Sequence, residues 1–240
     1  MEMLGIIGGL GPMAGAYFLQ LLTQMTDART DQEHMELVLH QIPGTPDRTA
    51  YILGRSEESP LPELVRAGKG LARMGATVLA IPCMTAHYFQ AQLQEQIGIP
   101  VIHGIRETAQ YLSARGIRTV GLMATDGTVE SGIFAQALQE EGIGLVLPSV
   151  TGQRYVMDLI FRDVKAGAPI EMEKFKKVSQ ELRGQGAEVI VLGCTELSMI
   201  KRDYPLGGGY LDALDVLARA SVLRCGRLKS EYQELITGRE

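Results

Sequence analysis

The sequence predicts an α/β protein built from two similar α/β domains, each a mainly parallel sheet flanked by helices, related by pseudo-two-fold symmetry with the functional site between them. Apolar, non-alternating runs recur along the chain, separated by amphipathic stretches of ten or more residues, which is the pattern of parallel strands covered on both faces. The second part of the chain repeats the order of the first. Glycine-rich turns fall where the predicted strands hand over to helices.

Taken in order, "MLGIIGG" reads as a buried strand, "GPMAGAYFLQLLTQMTDART" as the helix behind it and "MELVLHQIP" as a second strand. "LPELVRAGKGLARMG" is helical, "ATVLAIPC" a strand, "TAHYFQAQLQEQIG" helical, "IPVIHG" a short strand and "IRETAQYLSARG" a helix. "RTVGLMATDG" then opens a second series. "GATVLAIPCMTAH" from Gly75 aligns with "GAEVIVLGCTELS" from Gly186, and in both a cysteine follows the glycine by eight residues. "IPVIHGIRETAQYL" pairs with "GGYLDALDVLARAS", and "LGIIGGLGPMAG" with "TVGLMATDGTVESG". A repeat of about 110 residues is too long for a solenoid unit and suits two α/β halves. Such halves point the carboxyl ends of their strands toward a shared crevice where ligands bind.

Composition narrows the partner. The chain has 240 residues, 45% of them hydrophobic, 28 glycines and a net charge of -5. Its acids and bases are interspersed, so there is no basic footprint for nucleic acid or an anionic membrane surface. No apolar run approaches the roughly 18 residues of a membrane span, and the amino terminus has no secretory pattern. The expectation is a cytoplasmic protein with a small-molecule ligand. Three cysteines do not make a disulfide framework.

A single buried cysteine at a strand end is ordinary packing. Cys83 and Cys194 differ because they occupy equivalent places in the repeat, each just before helix-starting residues. There the free backbone N–H groups and the helix dipole are expected to draw a thiol pKa down from about 8.5 toward neutrality. Pseudo-symmetry places the two thiols on opposite walls of one crevice. That arrangement suits removal of a proton from one face of a carbon and its return to the other.

The motifs "GGLGPMAG", "PGTPDRT", "IPCMTAH", "GLMATDGTVESGIF", "DVKAG" and "GAEVIVLGCTEL", in this order, make the chain resemble the aspartate/glutamate racemase family, most closely its aspartate racemase branch. The resemblance runs from about residue 3 to about residue 220. It implies a cofactor-independent amino-acid racemase, usually a homodimer, in which Cys83 and Cys194 are the two bases. It also implies that the carboxy-terminal helix completes the first domain, giving residues 1-100 plus 209-240 and residues 101-208. Arg48 and Lys165 match the positions that hold the substrate's side-chain carboxylate, although Arg162 lies one helical turn before Lys165. A guanidinium and a second cation suit a dianionic substrate. The turns containing Gly11 and Thr125 to Thr128 open helices, and their N–H groups and hydroxyls are candidates for the substrate α-carboxylate as it gains charge. Thr85 and Thr195, each close behind a cysteine, join the expected binding residues.

One residue departs from the pattern. Met84 stands where the family has asparagine, and a thioether donates no hydrogen bond. A second reading therefore stands beside the racemase: an amino-acid or dicarboxylate binding protein derived from one and impaired by Met84. Glu196 either tunes Cys194 or serves as an early acid favouring its helix. For His87, tuning of Cys83 and packing both remain open. "GLGPMAG" lacks the spacing and the downstream acid of a dinucleotide fingerprint. No closed metal-ligand set is visible around Cys83 and His87. Cys225 has no motif around it and reads as structural.

Overall fold

The computed structural model describes residues 2–238. Two parallel sheets carry it. In the first, β1 (Leu4–Gly8) lies between β2 (Leu37–Gln41) and β3 (Val78–Ala80). The second has four strands, β4 (Thr119–Met123), β5 (Gly144–Val146), β6 (Val189–Leu192) and β7 (Tyr210–Asp212), in the order β5-β4-β6-β7. The first sheet has a counterpart of β7 in a single parallel bridge between Leu79 and Val101. The short strand expected at "IPVIHG" is thus reduced to one bridge.

Helix α1 (Pro12–Met25) starts with a proline, whose missing N–H costs nothing in the first turn. It stops five residues before the expected Thr30, because Thr26 turns extended and bridges Leu228. A short α2 (Arg48–Ile52) follows, capped by the Asp47 carboxylate on the Ala50 N–H at 2.7 Å, and then α3 (Leu61–Arg73). The helix expected from Thr85 is divided into a 3-10 turn, Met84–Phe89, and α4 (Gln90–Ile97). Next come α5 (Gly104–Ser113), α6 (Asp126–Glu130), α7 (Ile133–Glu140) and α8 (Val150–Met157). A π-helical segment, Asp158–Val164, continues α8, and α9 (Met172–Gly184), α10 (Thr195–Asp203) and α11 (Ala213–Cys225) complete the chain.

The repeat seen in the sequence is also a repeat of packing. A Cβ on Gly5 of β1 would lie 2.5 Å from Leu79 and 2.9 Å from Ala76, and one on Gly121 of β4 would lie 2.9 Å from Leu182 and 3.2 Å from Ala187. Glycine in the central strand lets the helix that precedes the cysteine strand, α3 through Leu71 and α9 through Leu182, close down on the sheet in both halves. Gly75 and Gly186, which introduce the cysteine strands, have φ of +104° and +94°, a region that other residues enter only at a cost.

Three apolar cores result. One lies outside the first sheet, against α3 and α4, and another outside the second, against α8 and α9. The third and largest lies between the sheets and is built from α1, α5, α7 and α11. Here the halves interlock: α5, which follows the first sheet, packs on α7, while α11, which follows the second, packs on α1, and α5 and α11 pack on each other. Since β7 pairs with β6, the chain stays with the second sheet through Asp212. On this packing we propose that it returns to the first half at residue 213, later than the expected 209.

The halves also meet at α2 and α6, where a Cβ on Gly127 would lie 2.8 Å from the Thr49 Cα and 3.0 Å from its hydroxyl. Backbone cannot yield as a side-chain tip does. Gly127→Ala is therefore expected to lower stability by about 1–3 kcal/mol, the usual range for overpacking, measured as a drop in the urea midpoint at unchanged m-value.

Candidate active site

Each cysteine ends a strand and caps a helical segment: Cys83 follows β3 and precedes the 3-10 turn, and Cys194 follows β6 and precedes α10. Both are extended at the cap and almost wholly buried, at 6% and 7% exposure. They line one chamber of about 20 Å³, together with Arg48, Met84, Thr85, Thr125, Lys165, Thr195 and Glu196. The crevice between the halves thus brings both thiols and most of the expected binding residues together.

Glu196 is the hub. Its Oε2 accepts the Cys194 thiol at 2.9 Å and the Thr195 hydroxyl at 3.3 Å, and its Oε1 lies 3.3 Å from the Lys165 Nζ. Burial pushes the Cys194 thiol well above its ordinary pKa, and the charge and hydrogen bond of Glu196 push it further, outweighing the Glu196 N–H and Lys165, which pull it down. This reverses the depression expected from the helix amino terminus. Partial charges on N–H groups lose to desolvation and to a full carboxylate charge at contact distance. Lys165 is a third exposed. Its burial opposes the charge, but Glu196 and then both cysteines hold its pKa above the usual lysine value. Both thiols therefore sit within electrostatic reach of one ammonium.

Arg48 is 8% exposed, and much of its donor capacity is spent on backbone. One terminal nitrogen donates to the Leu10 carbonyl at 2.7 Å and the other to the Pro46 carbonyl at 3.1 Å, while the Nε has no partner among the described residues. Thr85, Thr125 and Thr128 form a triangle of hydroxyls, with sides of 3.2, 2.9 and 3.0 Å, that spans the two halves. Thr85 and Thr125 face the chamber, whereas Thr128 lies one layer behind and supports them. Gly11, at the amino end of α1, lines a larger cavity next door and not the thiol chamber. Arg162, the alternative to Lys165, points away and pairs with Asp158 at 3.6 Å.

Met84 is shared between the chamber and the core between the sheets, and its Cε lies 3.4 Å from where a Gly104 Cβ would be. The Leu217 side chain and the His87 Nε2 crowd the same point. Gln90 donates to the Val101 carbonyl, so its Oε1 faces the His87 Nδ1 at 3.2 Å and makes that nitrogen the donor. Burial, helped by nearby His103, holds His87 neutral with a pKa of about 4. Its ring stacks on His103 with centroids 5.5 Å apart.

Leu10, Asp47, Thr49 and Phe161 also line the chamber and were not singled out in the sequence. Asp47 and Thr49 flank Arg48 in "PDRT", where position alone pointed to them. Phe161 reaches the chamber from the π-helical segment, whose wider turn shifts the side-chain register in a way that ordinary helical spacing does not anticipate. Among the described residues, no group of three His, Cys, Asp or Glu side chains could hold a metal ion. No described helix is long and apolar enough to cross a membrane.

Comparison with known proteins agrees with this geometry. Residues 7–220 match the family described as Asp/Glu/Hydantoin racemase. The structure is similar to that of an aspartate racemase from Picrophilus torridus, with a TM-score of 0.82 and 31% identity, over 97% of this chain and 98% of that one. In sequence it is 23% identical over 227 residues to the broad specificity amino-acid racemase RacX of Bacillus subtilis (strain 168), covering 92% of this chain and 96% of that protein. A glutamate racemase from Deinococcus radiodurans is 26% identical over 198 residues, 76% of this chain and 68% of that protein. A match over most of the chain, in a fold that sets two cysteine turns around one chamber, leaves one assignment: the chain belongs to the Asp/Glu/Hydantoin racemase family.

Proposed function

We propose that the protein racemises an acidic amino acid, aspartate or a close relative, by two-base proton transfer between Cys83 and Cys194 without a cofactor. The observation that carries this reading is that two cysteines from equivalent turns of the two halves line one chamber, beside the same lysine. A homodimer and a cytoplasmic setting belong to the same reading, through the resemblance to the aspartate racemase branch.

With Cys194 kept as a thiol by burial and Glu196, the resting protein has its proton donor in place. For the enantiomer whose α-proton faces Cys83, Cys83 acting as thiolate takes that proton and becomes a thiol, and the C–H electron pair moves into the α-carboxylate. Cys194 then delivers its own proton to the opposite face, leaving Cys194 as thiolate and Cys83 as thiol. The other enantiomer runs the same steps with the roles exchanged. The planar intermediate carries extra charge on the carboxylate, and the Thr85 and Thr125 hydroxyls and the Arg48 Nε are the donors placed to receive it. Lys165 suits a side-chain carboxylate, which would replace Glu196 as its partner.

Incubation with L-aspartate in deuterated water is expected to yield D-aspartate and α-deuterium together, followed by chiral chromatography and NMR. A binding protein without catalysis would give neither. Cys83→Ser and Cys194→Ser are each expected to lower racemisation by about 10²–10⁴-fold, the usual weight of a positioned acid or base. Full activity in either variant would rule out the two-base mechanism.

Glu196→Gln is expected to lower the Cys194 pKa, because both the charge and the hydrogen bond of Glu196 raise it. Lys165→Met is expected to raise it further, because the ammonium pulls it down. Both signs are read from the pH dependence of iodoacetamide alkylation at Cys194 in a Cys83→Ser, Cys225→Ser background. The alkylation curve should move to lower pH in the first variant and to higher pH in the second.

A further inference from the structure

The thiol chamber holds about 20 Å³, close to the ~10–15 Å³ that one water centre needs. No amino acid fits there until a wall moves. Three residues, Lys165, Thr195 and Glu196, line both this chamber and a neighbouring cavity of about 850 Å³, which lies within the roughly 300–1,000 Å³ of small-molecule sites. The partition is the Lys165–Glu196 ion pair, 3.3 Å long and made of two flexible side chains, one of them a third exposed. Displacing it joins the two spaces.

The larger cavity is not built for an anionic group. Its cations are taken, Lys165 by Glu196 and Arg202 by Asp203 at 2.6 and 2.8 Å. Asp163, which accepts the Glu171 N–H at 3.0 Å on one oxygen, adds a carboxylate to the wall. The remaining walls are largely apolar, among them Pro12, Met13, Val164, Ile170 and Met199. An acidic side chain placed there would lose hydration without a free cation, whereas an apolar one would gain by leaving water.

We propose that this cavity is a second substrate subsite, reached past the Lys165–Glu196 pair, that takes the side chains of neutral amino acids with long apolar chains, such as methionine and phenylalanine. With the α-carbon between the thiols, a short acidic side chain ends at Lys165, while a longer apolar one passes the pair and fills the cavity. The range of substrates then extends beyond acidic amino acids. This inference rests on the two-thiol reading of the chamber.

The test measures α-proton exchange in deuterated water by the full chain with aspartate, methionine and phenylalanine. It is repeated in Met13→Trp and Ala168→Trp, which fill the cavity from two sides at exposed positions. Wild type is expected to exchange all three amino acids. Each variant is expected to lower the phenylalanine-to-aspartate ratio of kcat/KM by about ten-fold or more, since a single methylene already decides about 10–200-fold in an apolar pocket. Exchange of aspartate alone in wild type, or a ratio unmoved in both variants, overturns the second subsite and leaves two-base catalysis standing. Absence of exchange with every amino acid sinks the two-thiol reading itself, and the subsite with it.

Discussion

Two thiols can act on opposite faces of one carbon only if the halves that carry them are locked in register, and the lock is the crossed packing of α5 and α11. Each closing helix leaves its own sheet and buries its apolar face against the opposite half, so the core between the sheets belongs to neither alone. A gap opened there would expose that core to water, a cost shared by several fully buried side chains such as Leu112 and Leu217. The apolar effect therefore positions the cysteine turns without any bond between them. Where the halves touch beside the chamber, the contact is close: a glycine, Gly127, against the Thr49 backbone.

On this symmetric frame the electrostatics are unsymmetric. Aligning the two cysteines sets Thr85 opposite Glu196, so one thiol turn carries a hydroxyl where the other carries a carboxylate. Glu196 raises the Cys194 pKa and draws Lys165 into place, while Thr85 joins the hydroxyl triangle across the junction. One substitution within a duplicated turn thus separates a proton-holding wall from a hydrogen-bonding wall. Under the proposed two-base mechanism the reaction runs in both directions, so each thiol must still be able to adopt the state of the other. The Glu196 carboxylate, bonded at once to a thiol and an ammonium, can follow a change of charge on either.

Much of this was legible in the sequence, because strand and helix periods, the repeat and the cysteine positions are local or nearly local patterns. Both sheets, the parallel order and the meeting of Cys83 with Cys194 follow from them. What was not legible depends on three-dimensional balance. The direction of the Cys194 shift required knowing that its carboxylate neighbour bends back onto the sulfur. The inward turn of Met84 required knowing that α5 and α11 leave an apolar slot beside Gly104. Phe161 was hidden by a π-helical register, and the return of the chain after β7 by a strand of three residues.

The repeat also explains how the interlock reaches the thiols. Four residues after each cysteine, the side chain meets the residue that caps the closing helix of its half. His87 stacks on His103, whose Nδ1 accepts the Arg106 N–H at 3.4 Å at the start of α5. The Ser198 hydroxyl donates at 2.8 Å to Asp212, which accepts the Leu214 N–H at 2.9 Å at the start of α11. Asp212 is wholly buried, and burial followed by the charge of Asp215 lifts its carboxyl to about 7, with Lys201 opposing. The chemistry differs, a pair of imidazoles in one half and a hydroxyl on a carboxyl group in the other, but the connection is the same. Any shift of α5 or α11 is transmitted through its cap to the turn that carries the cysteine. The packing that joins the halves and the geometry between the sulfurs are therefore one constraint, and the braces at positions 87 and 198 are where they couple.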